Sequence, residues 1–288
     1  VDVKKRWHKR HIEEAFFKVL MLFSFTIVIA SLALILWTVV AKGLPALTWA
    51  MITQAPKGGF YMGKGGGILN AILGSLYLAG GGTLLALIFS LPVTLYLKTY
   101  LEDSRWGQII RLALDVLWGI PSIVYGAFGF TIMLSIGLRA SLLAGIITLA
   151  LLELPIMTRS MDEVIRLMPA EIEQASLALG ATRYETAIKV VTRQMLPGIM
   201  TAILLAFGRG IGDAASVLFT AGYTDLIPGS LLRPSASLPL AVFFLLSTPY
   251  SAVQQRAYAA ALILTIIVLA ISLGSRWISG RLSRYVVK

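Results

Sequence analysis

Six stretches of this chain are each long enough to cross a bilayer and nearly free of charge, and no other feature restricts the fold so severely. Hydrocarbon offers backbone groups no water, so a span must bond its own N–H and C=O groups. That leaves helices of roughly 20 residues or the shorter strands of a closed barrel. Residues 19–41, 65–97, 116–138 and 257–275 contain no Asp, Glu, Lys or Arg; 140–158 contains Glu153 alone, and 196–221 contains Arg209 and Asp213. Their lengths suit helices, and the expected fold class is all-α: a polytopic membrane protein with six transmembrane helices. A seventh apolar run, Leu238–Leu246, bounded by Pro239 and Pro249, is too short to span and reads as a re-entrant or interfacial segment. Composition agrees: 57% of residues are hydrophobic, where soluble domains reach about 45–50% only with glycine included. Cysteine is absent, which excludes disulfides and thiolate metal sites. The first apolar stretch exceeds a signal-peptide h-region, so no cleavable leader is expected.

Six crossings put both termini on one side, and Lys and Arg choose which. Eighteen of them fall in the N-terminal segment, around 98–111, in 159–193 and at the C-terminus, against six in the opposite loops. The richer side is expected to be cytoplasmic, in a plasma membrane. The net charge of +11 is read as this asymmetry and as contact with anionic lipid, not as nucleic-acid binding. The expected organisation is a basic segment 1–18, a first span 19–41, an external loop 42–66, a five-span core 67–280 with a cytoplasmic segment 160–196, and a tail 281–288. Residues 226–255 form an external vestibule.

The cytoplasmic segment carries the longest polar reach. Pro169 suits a first helical residue, and Ile172, Ala175, Ser176 and Leu179 recur on one helical face. Gly180 stands where a helix commonly closes in the left-handed region. Thr182 and Glu185 have the spacing of a capping box, opening a second helix whose apolar face is Tyr184, Ile188, Val191 and Met195, with Pro197 at the next boundary. The product is an amphipathic helix–turn–helix offered to something soluble.

Within the spans, Pro121 should kink the third, with Ser122 re-satisfying freed backbone groups, and Gly119, Gly126 and Gly129 allowing close approach. Asp115 is either a solvated end charge or functional, and Glu153 is equally open. In the fifth span Arg209 and Asp213 are four residues apart, share one helical face and can pair, while Gly208 and Gly212 suit tight helix contact. Two charges at mid-membrane, at ~2.5–3.5 kcal/mol each, require a purpose. One is a salt bridge that locks the bundle; the other is a guanidinium lining an anion path, restrained by a carboxylate so that anions leave again. Gly58, Gly63 and Lys64 nearly match the phosphate-cradling G-x-x-x-x-G-K-S/T loop, but Gly65 occupies the hydroxyl position and the loop is external. Arg139 reads as a topological flank, Trp277 as an interfacial anchor, and His8 and His11 as part of a lipid-facing basic stretch.

The segment Gln174-Ala175-Ser176, then Leu179-Gly180 and later Leu196-Pro197, resembles the EAA loop of ABC importer permeases of type I, with Gln174 at the usual acidic position and Glu173 before it. The strings G-I-P-S-I-V-Y-G (119–126), GGGILNAILGSLYL (65–78) and Arg209…Asp213…Leu218-Phe219-Thr220 resemble phosphate-specific permeases. Leu238-Pro239 and Pro249…Gln254-Gln255 favour the PstA-type over the PstC-type subunit. The resemblance implies a permease without enzymatic activity or a cofactor of its own, ATP and Mg²⁺ residing on a PstB-type ATPase dimer. It further implies a PstC-type partner, a PstS-type phosphate-binding protein outside, and inorganic phosphate as cargo. It assigns Arg209, Asp213, Ser122 and Thr220 to the substrate path, and Glu173, Gln174, Ala175, Ser176, Gly180 and Thr182 to ATPase coupling. Pro121, Gly208 and Gly212 fall to kinking and packing. The alternatives are a permease for molybdate or sulfate, or a stand-alone anion channel or carrier.

Overall fold

A computed structural model describes residues 2–57 and 65–282, and all regular structure among them is helical. The helices are α1 (Asp2–Gly43), α2 (Trp49–Thr53), α3 (Leu69–Thr99), α4 (Arg105–Gly119), α5 (Ser122–Ser135), α6 (Leu142–Arg166), α7 (Ala170–Ala178), α8 (Arg183–Glu185), α9 (Thr192–Gln194), α10 (Leu196–Gly212), α11 (Leu238–Leu246) and α12 (Ser251–Leu282); a π-helical turn, Thr186–Val191, joins α8 to α9. Gly58, Gly63, Lys64 and the side chain of His8 lie outside what is described.

Four helices are long and apolar enough to cross a membrane unbroken: α1, α3, α6 and α12. The pairs α4–α5, bent by 98°, and α8–α9 with α10, bent by 73°, bring the count to six when each pair is taken as one crossing. The third expected span is therefore corrected. Pro121 does not kink a continuous helix; it ends one and caps the next, because the residue before a proline is forced out of the helical region, and Ile120 sits at φ −70°, ψ 131°. The expectation that Ser122 repairs a broken ladder falls with it: the helix restarts at Ser122, and no hydrogen bond of its hydroxyl occurs among the described residues. The fifth span is also shorter than expected, since α10 stops at Gly212 and Asp213 is extended (φ −82°, ψ 123°).

The centre of the bundle is α3 against α6. Gly81 and Gly82 let the backbone of α3 approach Ile146 and Leu149. Pro155 interrupts the ladder of α6, and the adjacent Leu154 carbonyl accepts from the hydroxyls of Ser90 (3.2 Å) and Thr158 (2.7 Å). α10 closes over both helices, with Ala202 and Ala206 in a core shared with Ala86, Ala150 and Met157. The apolar window of α1 is wholly exposed, and its C-terminal end meets α12, where Lys42 lies 4.9 Å over the Tyr258 ring.

Residues 213–237 return along the end of the bundle away from α7. They supply what the start of α6 lacks, since a helix leaves its first N–H groups without partners. Leu142 donates to Arg233 O at 2.8 Å and Leu143 to Leu231 O at 2.8 Å, while Ser141 donates to Thr220 O at 2.9 Å. On α3, Asn70 donates to Thr224 O at 2.7 Å, and Ser75 Oγ accepts from Leu238 N at 2.7 Å. The apolar run 238–246, expected as a re-entrant or interfacial segment, is a short helix with those bounds that opens on a Ser237 cap and buries Leu238, Leu240 and Leu245.

Candidate functional site

The helix–turn–helix is built as its local signals require. Gly180 is at φ +87°, a value side chains rarely adopt, and its N–H closes onto Leu177 O at 3.0 Å. Thr182 and Glu185 cap each other: Glu185 N donates to Thr182 Oγ1 (3.2 Å) and Thr182 N to Glu185 Oε2 (3.1 Å). The backbone N–H of Thr182, then its hydroxyl (3.0 Å from Oε2), with Lys189 beside them, hold the Glu185 carboxyl below the usual carboxylate range. Ser176 Oγ and Thr186 Oγ1 are 2.9 Å apart and tie the two helices together.

Its outer faces differ from those expected. Ile172 and Ser176 are partly covered, but Ala175 and Leu179 are exposed, Leu179 at 89%. In the second helix Tyr184 and Ile188 are exposed, whereas Thr186, Ala187, Val191 and Met195 are buried. The π turn is the cause. Its wider winding departs from the 3.6-residue period on which the expected face rests, with Thr192 Oγ1 reaching back five residues to Ala187 O at 3.0 Å. Glu173 turns inward toward Lys98, and Gln174 turns outward.

Around α10 the expected Arg209–Asp213 pair does not form. The helix ends between them, and Asp213 Oδ1 instead accepts from Ser216 N at 2.8 Å, capping the turn that follows. Arg209 is exposed, and among the described residues it has neither a hydrogen bond nor an ion pair. Gly208 and Gly212 also differ from expectation: a Cβ at either would meet nothing within 4 Å, so they pack against no other helix among the described residues. Gly210, between them, is in close contact: a Cβ there would overlap Oε1 of the fully buried Glu153. Gly126 brings α5 onto the backbone of Ala215 and Ser216, and Ser122 lies one turn before it on the same face. Thr220 is fully buried, its hydroxyl 3.3 Å from Ser216 O, and lines no open surface. Arg139 is exposed, and Trp277 stacks with Arg281 at 4.1 Å. Among the described residues no cluster of acidic or histidine side chains could hold a metal ion.

A family model for the inner membrane component of binding-protein-dependent transport systems matches residues 90–288. The chain belongs to that family. Such a permease is a multi-pass inner-membrane component of a transport system that depends on a binding protein. The phosphate transport system permease protein PstA of Haemophilus influenzae is 32% identical to this permease over 273 residues, 94% of each chain. The protein of the same name from Xylella fastidiosa (strain Temecula1) is 36% identical over 247 residues, 83% of each. Among solved structures, one of the inward-facing MetNI methionine ABC transporter has a chain that matches 74% of this permease and 95% of its own length, at TM-score 0.60 and 17% identity, a likeness of fold. The resemblance read from the motifs is borne out.

The permease also contains a polar knot that sequence reasoning missed. Arg111 in α4 holds the fully buried Asp162 in α6 by two bonds, Nε to Oδ2 at 2.8 Å and Nη2 to Oδ1 at 3.2 Å. Arg159 donates to Asp162 (3.2 Å) and to Asp115 (2.7 Å), so Asp115 is an ion-paired residue and not a free end charge. Arg159 and Asp162 at i, i+3 were a readable signal; Arg111 and Asp162, 51 residues apart, were not.

Proposed function

We propose that this permease forms half of the path by which inorganic phosphate enters the cell, and that residues 170–195 pass to that path the movement of a separate ATPase. The observation that carries the reading is Arg209. A permanent cation on a mid-membrane helix face, without a carboxylate partner among the described residues, would cost ~2.5–3.5 kcal/mol against lipid. That face therefore adjoins water or another subunit. Gly208 and Gly212 beside it leave room for a second helix, supplied here by a PstC-type permease. The planar guanidinium fork matches phosphate oxygens in shape and charge. Asp213, close by but turned into the following turn, keeps the site from becoming an anion trap. The names of the curated relatives support phosphate over sulfate or molybdate. The Lys and Arg distribution supports cytoplasmic termini and a cytoplasmic hairpin. The hairpin's exposed Gln174, Ala175 and Leu179 then face a PstB-type ATPase dimer, and residues 226–255 a PstS-type binding protein.

The test is phosphate uptake by the four-component complex in proteoliposomes, with sulfate and molybdate as competitors. Arg209→Ala should abolish uptake while the complex still assembles; normal uptake would return Arg209 to a packing role. Equal competition by sulfate or molybdate would favour the other oxyanions, and ATP-independent flux through this chain alone would favour a channel.

A further inference from the structure

Helix α7 buries none of its residues, so apolar packing does not fix its orientation. Two polar ties do. One is the Ser176–Thr186 contact within the hairpin. The other leaves the hairpin: Glu173 Oε2 lies 3.8 Å from Nζ of Lys98, in the last turn of α3. Lys98 is only 7% exposed, and the same ammonium is held by both oxygens of Glu102, at 2.6 and 2.7 Å. A buried ammonium costs several kcal/mol unless paired, so Lys98 is committed to the carboxylates that reach it. The corner on which it stands is rigid. Arg111 donates to the carbonyls of Leu97 and Glu102, one on either side of Lys98, at 3.4 Å each. A displacement of α7 thus meets a fixed charge seated at the end of the central helix.

We propose that Lys98 is a positioning residue for coupling. It holds α7 through Glu173, so that the hairpin moves as one body with α3, and Gln174 and Ala175 form the surface offered to the ATPase. Glu173, the acidic residue nearest the usual motif position, is then an internal strut and not a contact to the engine. The proposal rests on the reading of the permease as a subunit driven by a separate ATPase.

The experiment uses the complete complex in proteoliposomes and measures phosphate imported per ATP hydrolysed, together with the amount of ATPase that co-purifies. Lys98→Gln and Glu173→Gln should each lower the transport-to-hydrolysis ratio about fivefold or more, within the usual range of coupling between sites, while the ATPase remains bound. The double variant should be no worse than either single one, because both remove the same link. Gln174→Ala should instead weaken co-purification of the ATPase. An unchanged ratio in Lys98→Gln overturns the proposal, as does loss of the ATPase from Glu173→Gln. A lower yield of complex with an unchanged ratio also overturns it, because that is a folding role only. A wild-type complex that imports no phosphate would instead sink the underlying reading of function.

Discussion

Asp162→Asn isolates the energetics of the polar knot, because it keeps the shape of the side chain and removes its charge. Asp162 is fully buried and receives three guanidinium N–H donors, two from Arg111 and one from Arg159. After the substitution Arg111 stays buried beside a neutral amide that keeps one acceptor oxygen and puts an N–H₂ donor in place of the other, and its remaining contacts are the Leu97 and Glu102 carbonyls at 3.4 Å. Removing one partner of a buried pair leaves the other charge uncompensated, at about 3–5 kcal/mol. That loss is a factor of roughly 100 to several thousand in the unfolding equilibrium, at about 1.4 kcal/mol per tenfold. Arg159→Gln is the comparison: its pairs with Asp115 and Glu163 are partly exposed and screened, and Asp162 keeps both bonds from Arg111 when the third donor goes, so its loss should cost less than Asp162→Asn. Denaturant titration in detergent micelles, followed by tryptophan emission, measures both. Arg111→Met combined with Asp162→Leu should recover most of the loss, since neither ion then needs desolvation. An Asp162→Asn chain that unfolds at the wild-type midpoint would refute the reasoning, and so would a double variant worse than the single one.

Gly180→Pro should uncouple ATP hydrolysis from uptake, because proline cannot reach φ +87° and lacks the N–H that closes onto Leu177; coupled transport at the wild-type level would contradict this. Gly74→Ala should destabilise the end of the bundle away from α7 by about 1–3 kcal/mol, since the new methyl overlaps the backbone carbonyl of Ala236; thermal unfolding reads the shift. Thr182→Ala should loosen the second helix of the hairpin by about 1 kcal/mol, seen as faster amide exchange at Glu185 and Thr186. The same cap is acid-sensitive. The folded Glu185 carboxyl titrates below its unfolded value, so its contribution is present above the ordinary carboxylate range and is lost as pH falls through the folded value. Exchange at Glu185, corrected for its intrinsic pH dependence, should rise in that acidic window in the wild type and rise less in Thr182→Ala, which keeps the backbone N–H donor and Lys189 but loses the hydroxyl.

Much of this protein was legible because its governing forces are local. A bilayer requires each span to bond its own backbone, so apolar length alone located the four unbroken spans and the short buried α11. Capping depends on residues three apart, so Thr182 with Glu185, and the turn at Gly180, were readable as they stand. The tertiary structure decided where a helix stops inside an apolar run and how far it is rotated toward its neighbours. Arg209 and Asp213 have the spacing of a pair, but α10 ends between them and sends Asp213 to Ser216 N. Glu173 and Gln174 are adjacent in sequence, yet only the placement of Lys98 turns one inward and leaves the other outside. Side-chain partners across helices are chosen by rotation and axial shift, which the packing of α3, α6 and α10 sets and no local spacing encodes.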